Sequence, residues 1–333
     1  RMTLEIFVAK TPDYILTLPG TITWTNPHPT QGGTQVVPWD TNALTAYRNF
    51  ITNLAQHTVA GTSWRVAEHP TLESLDAPIV GLQGLRELSN TLIAHPDYER
   101  ERFIAAITEA VTINRGAFAA KFGFLALFAM DDSVSVPPLD ETVYLRLMTN
   151  FNVAGRPTLG FFQETLSDTG PQPTVLGQLL RQASEKTYVM FQALRPWTLP
   201  PGTPRPPEIA SGTPITGLWF AWTNYHSTYV ELYGADILAA ANTNALRQWD
   251  HFFPAVNAFR TGAENFTLRS EAGGARLEWN ADELLNYQLW RTPGLANWEL
   301  ETNLGSLTGS VHLPIAPGDA ARFLRLEVLP PAP

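Results

Sequence analysis

The side chains of this chain that could do acid–base chemistry are carboxylates in or just after strand-like segments. Glu164 lies near the end of the apolar run Pro157–Asp168, PTLGFFQETLSD. Glu231 lies in a similar run, Thr228–Asp236, TYVELYGAD, and Thr187–Trp197, TYVMFQALRPW, comes between the two. Each run is of strand length, rich in aromatic and β-branched residues, and adjacent to a helical pattern.

The alternation of side chains along a strand predicts which residues share a face. The purely aliphatic or aromatic face of each strand should meet the helices, and it carries these pairs: Leu159 and Phe161, Val189 and Phe191, Val230 and Leu232. The opposite faces carry Glu164, Gln192 and Glu231. If the three strands are parallel neighbours, these polar side chains converge at the carboxyl ends of the strands, where barrel enzymes have their chemistry.

Two carboxylates near one site are what the cleavage of a glycosidic bond requires. One carboxyl group gives a proton to the leaving oxygen, and the other is ionised and acts as nucleophile or as base for water. Besides Glu164 and Glu231, the candidates are Asp131, which follows the strand pattern Gly123–Met130, and Glu87, which begins a helical segment.

Each of these carboxylates also has a structural explanation, and the sequence leaves both explanations open. Glu164 could be a hydrogen-bond partner at a strand end, and Glu231 could form a buried ion pair with Arg195 or Arg156. Asp131 fits a loop or a helix cap. Glu87 suits the positive end of a helix dipole.

Substrate contact is predicted for one amide and several rings, because flat rings stack on the faces of sugars. Gln192 should hydrogen-bond a sugar hydroxyl. The aromatic candidates for substrate binding are Trp24, Trp39, Trp197, Trp222, Tyr229 and Tyr233. The histidines show no metal-ligand spacing such as HExxH, so neither a metal nor another cofactor is predicted.

The elements that must position these residues indicate an α/β fold with a small all-β region after it. Strand patterns alternate with helical ones through residues 1–262, which predicts a TIM-type (β/α) barrel. Residues 1–25 are too few for the first three strands with their helices, so we expect the barrel to be incomplete at its amino terminus. Six short strand patterns follow in residues 263–333, which predicts an immunoglobulin- or fibronectin-like antiparallel sandwich.

The composition excludes several classes of function. The 333 residues include 44% hydrophobic and 16% charged residues, and a net charge of -9 argues against a nucleic-acid or anionic-membrane surface. No run is long and apolar enough to span a membrane. The absence of cysteine removes disulfides and thiolate chemistry. With only three lysines, such a surface suits a secreted bacterial protein, whose opening Arg1-Met2 indicates a removed leader or a start within a longer product.

From Thr21 to about Phe253 the chain resembles the later part of a (β/α)8 glycoside hydrolase of the retaining group with glutamates on strands 4 and 7. The likeness is carried by a loop ending VPWD with the helix TAYRNFITNLAQH, then by APIVGLQGLRE, GFLALFAMDD, PTLGFFQETLSD, TYVMFQALRPW and TYVELYGAD. The resemblance implies a nucleophile at the position of Gln192 and an Asn-Glu pair where Gln83 and Glu87 are found. The usual catalytic pair of that group is therefore not carried over.

Two functions follow from these observations. The first is a secreted glycoside hydrolase, or hydrolase-like barrel, that acts on a poly- or oligosaccharide through Glu164 and a partner carboxylate. The second is a non-catalytic carbohydrate-binding or extracellular assembly protein on the same barrel, with self-association through the carboxyl-terminal domain. The position of Gln192 and the short amino-terminal region favour the second. An esterase is not supported, because no Gly-x-Ser-x-Gly elbow is present.

Overall fold

A computed structural model of the chain divides into two compact units. The structure describes residues 2–4, 6, 10–27, 32–77, 90–126, 137–153, 156–169, 174–200, 202–204, 211–261, 267–271, 274–292, 299–315 and 323–331. The first unit comprises Arg1–Thr165, Gly170–Gln192 and Tyr225–Ser227, and the second comprises Leu166–Thr169, Ala193–Asn224 and Thr228–Pro333. The predicted domain boundary between residues 262 and 263 stays a prediction.

The first unit alternates strands with helices. Its strands are β1 Met2–Leu4, β2 Thr23–Asn26, β3 Gly33–Val36, β4 Leu72–Asp76, β5 Phe122–Ala126, β6 Asn152–Val153, β7 Arg156–Pro157, β8 Leu159–Gln163 and β9 Val189–Gln192. Its helices are α1 Asp13–Leu16, α2 Thr41–Gln56, the 3-10 turn Val66–Glu68, α3 Asn90–Ile93, α4 Arg100–Ala117, α5 Leu139–Phe151 and α6 Thr174–Ser184.

The second unit begins with helices and ends in antiparallel strands. Its helices are α7 Pro214–Tyr225, whose last residue is counted in the first unit, α8 Gly234–Leu238 and α9 Thr243–Thr261. Its strands are β10 Tyr229–Glu231, β11 Thr267–Glu271, β12 Gly274–Ala281, β13 Asn286–Thr292, β14 Glu299–Ser306, β15 Gly309–Ile315 and β16 Phe323–Leu329. None of the helices in the described part of the chain is long and apolar enough to cross a membrane.

The main sheet has six strands in the order β1-β4-β5-β8-β9-β10. Its first five strands are joined in parallel, with Ser74 opposite Phe122, Gly123 opposite Leu159 and Phe161 opposite Val189. Neighbouring strands run in the same direction because a helical connection returns the chain to the end of the sheet where the strands begin. The predicted α/β class and the parallel strands are confirmed.

Asp40, Thr41 and Asn42 are residue types that cap helices, so they predict a helix start, and helix α2 begins at Thr41. The Asp40 carboxylate accepts a hydrogen bond from the Ala43 N–H at 2.8 Å, which satisfies one of the unpaired donors of the first turn. Its other oxygen accepts from the Ile22 N–H at 2.8 Å and so ties the preceding chain to the helix. Buried residues recur every four positions along α2, which is the pattern of a one-sided helix: Ala43, Tyr47, Ile51 and Ala55.

The pattern of residues Tyr14–Thr25 predicts one or two strands, and the structure differs from this expectation in part. Strand β2 does begin at Thr23, but Asp13–Leu16 is a helical turn. The turn forms because Pro12 provides an extended residue before it and the Pro12 carbonyl accepts the Ile15 N–H at 2.9 Å. The pattern Ala77–Leu82, APIVGL, predicts a short buried strand. Apart from Ala77 this segment lies outside the described residues, and β4 ends just before it.

The six strand patterns predicted after residue 262 all form strands in the second unit. They pair as two three-stranded sheets, β11-β12-β15 and β14-β13-β16. Side chains of both sheets share a buried cluster with helices α7 and α9. Its members include Trp249, Phe252, Leu277, Trp279, Tyr287 and Leu326.

We expect Gly160→Ala to destabilise the first unit. A Cβ atom at residue 160 would lie 2.5 Å from the Tyr188 carbonyl oxygen and 2.6 Å from the Phe124 ring, so the strands would have to move apart. Overpacking of this kind costs about 1–3 kcal/mol or more. Chemical denaturation measures the change. Gly116→Ala in α4 is the control, because a Cβ there meets nothing within 4 Å, and it should be neutral or stabilising.

The second unit contains a histidine–aspartate pair whose contribution to stability depends on pH. His251 of α9 hydrogen-bonds the carboxylate of Asp282, which also accepts from the Leu284 N–H. Burial acts to raise the pKa of Asp282, but these bonds and the charges of His251 and Arg247 outweigh it, so this pKa is lowered. A lowered pKa means that the pair stabilises the fold above the ordinary carboxyl pKa, and that this is lost as the pH falls through the lowered value.

Asp282→Asn should therefore unfold more easily than the wild type at neutral pH, and the difference should shrink below about pH 4. The pair is about one third exposed, so the loss at neutral pH should stay under about 1 kcal/mol. Urea unfolding at several pH values measures it. Glu283→Gln, at the exposed neighbouring residue, is the control. A difference between wild type and Asp282→Asn that does not vary with pH would contradict the assignment.

Candidate functional site

The two faces of the main sheet have the characters that alternation predicts. The Phe161 ring packs on Tyr144 of α5, with ring centroids 5.3 Å apart, and the Phe191 ring packs on Tyr225 of α7 at 4.9 Å. Leu159, Phe161, Val189 and Phe191 are all buried. The apolar face of β8 and β9 therefore meets helices, which confirms the expectation for these two strands.

On the opposite face, aromatic rings cover the part of the sheet near the amino ends of the strands. The absence of a side chain at Gly160 lets the Phe124 ring lie against β8. Phe122 contacts the Phe124 ring at 5.1 Å and the Tyr188 ring at 4.7 Å. Phe162 comes next along this face and is buried. A ligand on this face would consequently meet the sheet beyond Phe162, at the carboxyl ends of the strands.

A carboxylate and an amide lie at that end, and we call them the Glu164–Gln192 edge. Gln192 is the last residue of β9, and Glu164 follows the last residue of β8. Phe162 pairs with Met190 in the parallel ladder, whose last pair is Gln163 with Phe191, so Glu164 and Gln192 are the next residues in register. Continued for one more residue, the alternation of side chains predicts that both share the face of Phe162 and Met190. Both side chains are partly exposed. A carboxylate can exchange a proton, and the neighbouring amide can donate to and accept from a hydroxyl group.

Asp76 is a buried carboxylate on the same face that the sequence analysis did not single out. It ends β4 and lies opposite Phe124, which lies opposite Gly160, so it is two rows below Glu164. Its charge adds to the effect of burial in raising the pKa of Tyr47, although a hydrogen bond with Asn114 acts the other way. The sequence pattern predicts a strand that begins at Ala77, whereas β4 ends at Asp76, so the prediction did not include this carboxylate.

The other predicted carboxylates lie outside the described residues or in the second unit. Asp131 and Glu87 lie outside the described residues. Glu231 ends β10 in the second unit and is partly exposed, as are Tyr229 and Tyr233. The alternative prediction, a buried ion pair between Glu231 and Arg195, is wrong because the Arg195 side chain is exposed. Nowhere in the described chain do three histidine, aspartate or glutamate side chains gather as metal ligands would.

Three of the four predicted sugar-stacking tryptophans are buried. The Trp24 indole N–H donates to the Val36 carbonyl at 3.1 Å, and Trp39 packs edge-on against Tyr98 at 5.8 Å. Trp222 is partly exposed and its ring meets Phe252 at 4.8 Å. These contacts give each ring a packing role, while sugar contact stays a prediction.

Trp197 and Tyr233 both hold the chain segment that follows β9. The Trp197 ring covers Gly217 of α7, where a Cβ atom would lie 2.8 Å from it, and the indole N–H donates to the Ser211 carbonyl at 3.3 Å. The Tyr233 hydroxyl donates to the Leu194 carbonyl at 2.9 Å. Both residues thus position main chain in the second unit.

Comparisons with known proteins add little to this geometry. No protein-family model matches the chain, and no curated protein matches it in sequence. Among solved structures, endoglycoceramidase II from Rhodococcus sp., in a lactosyl-enzyme intermediate, has a TM-score of 0.32 and 12% identity, over 97% of this chain and 74% of that one. A second, described as a glycoside hydrolase, has a TM-score of 0.27 and 7% identity, over 86% and 89%. Both weak neighbours are glycoside hydrolases, and at these TM-scores neither carries an argument.

The row that joins Glu164 to Gln192 can be tested by a crosslink, since the chain contains no cysteine of its own. We expect the double variant Glu164→Cys, Gln192→Cys to form a disulfide under mild oxidation, because neighbouring strands lie about 4.8 Å apart, within disulfide reach. Thiol titration and non-reducing electrophoresis measure it. The pair Gln163→Cys, Gln192→Cys is the control and should stay reduced, since these side chains lie on opposite faces. Equal crosslinking of both pairs would disprove the row.

Proposed function

We propose that this protein is a glycoside hydrolase, or a hydrolase-derived protein, that acts on an oligo- or polysaccharide. The observation that carries the proposal is the Glu164–Gln192 edge, a partly exposed carboxylate and amide at the carboxyl end of a parallel sheet. Chemistry in such sheets takes place at that end because loops from several strands meet there. Glu164 is the principal catalytic carboxylate, and Gln192 hydrogen-bonds a sugar hydroxyl.

Hydrolysis also needs a second carboxyl group. The predicted partners are Glu231, Asp131 and Glu87, and Asp76 joins them because it shares the face of Glu164. A separation of about 5–5.5 Å between the two carboxyl groups corresponds to a retaining mechanism, and one of about 6.5–9.5 Å to an inverting mechanism. In either mechanism one group is protonated and the other ionised when the substrate binds, which unequal burial of the two favours.

The proposal extends to the setting of the site. It takes the six-stranded parallel sheet as part of a (β/α) barrel and the two carboxyl-terminal sheets as a sandwich of the immunoglobulin-like kind. It also holds that the protein is secreted by a bacterium and binds carbohydrate, and that the carboxyl-terminal region can mediate self-association. The low fraction of charged residues and the scarcity of lysine are the observations that support secretion.

A non-catalytic carbohydrate-binding protein is the second candidate, and one observation favours it. Gln192 ends the strand on which the hydrolases that this chain resembles have their nucleophile. An amide can neither attack the sugar carbon nor take up a proton as a carboxylate does. The same amide would serve well in binding. The two candidates therefore differ in whether Glu164 cleaves a bond or only holds a hydroxyl group.

We expect Glu164→Gln to lower hydrolysis by at least about 100-fold in a screen of aryl glycosides and polysaccharides, because a positioned acid or base contributes that much. Glu231→Gln tests the first partner, and circular dichroism confirms that each variant is folded. Glu101→Gln is the control, since this exposed glutamate pairs with Arg146 on the helices.

The screen separates the candidates. A loss in Glu231→Gln alone would move the principal carboxylate to β10. No hydrolysis, together with retention of the wild type on a polysaccharide gel, would support the binding protein. Neither hydrolysis nor retention across the panel would contradict both.

A further inference from the structure

A buried glutamine comes directly before Glu164 in the first unit. Gln163 ends β8 on the face that also carries Leu159 and Phe161, where the alternation of side chains predicts an apolar residue. It is only 1% exposed. Burial of a polar side chain costs free energy unless the side chain forms hydrogen bonds. The hydrogen bonds of Gln163 must therefore offset the cost of its burial.

The carboxamide oxygen of Gln163 accepts two hydrogen bonds from one residue, Thr165. The Thr165 main-chain N–H donates to this oxygen at 2.5 Å, and the Thr165 hydroxyl donates to it at 2.7 Å. The atom that faces the N–H must be the oxygen of the carboxamide, because a main-chain N–H can only donate. The two bonds close a turn around Glu164 and tie the residue before it to the residue after it.

The start of this turn is fixed by the sheet. Gln163 pairs with Phe191 in the ladder between β8 and β9, and the Phe191 ring is fully buried against Tyr225. The main chain of Gln163 is therefore held by the sheet, and its side chain in turn holds Thr165. Glu164 follows the last ladder pair of β8 but lies between two fixed residues.

We propose that Gln163 is a positioning residue for Glu164, whose carboxylate it holds at the carboxyl end of the sheet beside Gln192. The inference rests on the proposed function for the role of Glu164, and on the bonds from Thr165 for its orientation. A displacement of about 1 Å can cost a catalytic group about 100-fold in rate. A side chain that fixes the turn thus contributes to catalysis without touching the substrate.

The first unit contains a matched control for this role at Gln35 of β3. The Gln35 side chain is also buried, and its carboxamide oxygen accepts the main-chain N–H and the hydroxyl of Thr11, both at 2.8 Å. Gln35→Leu and Gln163→Leu therefore remove the same two kinds of hydrogen bond from the same unit. Both variants lose stability through the same loss, but only Gln163→Leu releases the turn that carries Glu164.

Disulfide formation in the double variant Glu164→Cys, Gln192→Cys measures the orientation of residue 164 without any need for activity. We expect Gln163→Leu in this background to slow the crosslink at least about tenfold, because the two thiols meet less often in bonding geometry. Gln35→Leu in the same background should leave the rate unchanged. An unchanged rate with Gln163→Leu, or equal slowing by both leucine substitutions, would overturn the inference.

Thr165→Val is a milder variant should Gln163→Leu fail to fold. It removes the hydrogen bond of the hydroxyl and keeps that of the main-chain N–H. We expect it to slow the crosslink between residues 164 and 192 by a smaller factor than Gln163→Leu does. A folded Thr165→Val variant that crosslinks at the original rate would also overturn the inference.

Hydrolysis of an aryl glycoside or polysaccharide measures the effect on catalysis. We expect Gln163→Leu to lower kcat at least about tenfold and to leave KM within about twofold, because the loss falls on the transition state. Gln163→Glu keeps an oxygen that can accept both bonds, so it should recover most of kcat. Gln35→Leu should match the wild type. A rise in KM with unchanged kcat would overturn catalytic positioning.

The two measurements distinguish this inference from the proposed function. An unslowed crosslink, together with hydrolysis that depends on Glu164, would overturn the role of Gln163 and leave the proposed function standing. A slowed crosslink in a protein that hydrolyses no glycan and is retained by none would overturn the proposed function. Gln163 would then remain the residue that orients position 164.

Discussion

The first unit depends on the close approach of three strands at Gly160. The Phe124 ring and the Tyr188 carbonyl occupy the space that a side chain at this position would need. That contact pins the register of β5, β8 and β9, and the side-chain period of two carries the register on to their carboxyl ends. A slip of one residue would turn Glu164 or Gln192 toward the helices. The position of the proposed site is thus decided four residues before Glu164, by packing and not by the site itself.

What the sequence predicted well was governed by local rules. The cap of α2 by Asp40 and the faces of β8 and β9 follow from residue type and from the period of a strand. The six strands at the carboxyl end were readable for the same reason. What it predicted poorly depends on tertiary packing. The helical turn after Pro12 is four residues long, too short for a periodic signal, and Asp76 belongs to a strand whose apolar pattern continues past it.

The tryptophans illustrate the same limit. A tryptophan in a loop can stack on a sugar or fill a gap between elements, and its neighbours in sequence do not tell which. Trp197 is seated on Gly217, twenty residues later in the chain, and only the fold reveals that this glycine leaves room for the ring. The carboxylates divide in a comparable way. Asp40 and Asp236 are buried and accept main-chain N–H groups, whereas Glu164 is partly exposed at a strand end.

The cluster in the second unit that joins α7 and α9 to the carboxyl-terminal sheets has a consequence for how the chain is made. Leu218 and Trp249 leave the ribosome long before Leu326 and Val328, with which they share one buried core. Contacts between residues so far apart in sequence form slowly, and apolar rings that wait for their partners are prone to aggregate. The second unit can therefore acquire its native core only after synthesis has passed β16, and until then its helices would benefit from a chaperone.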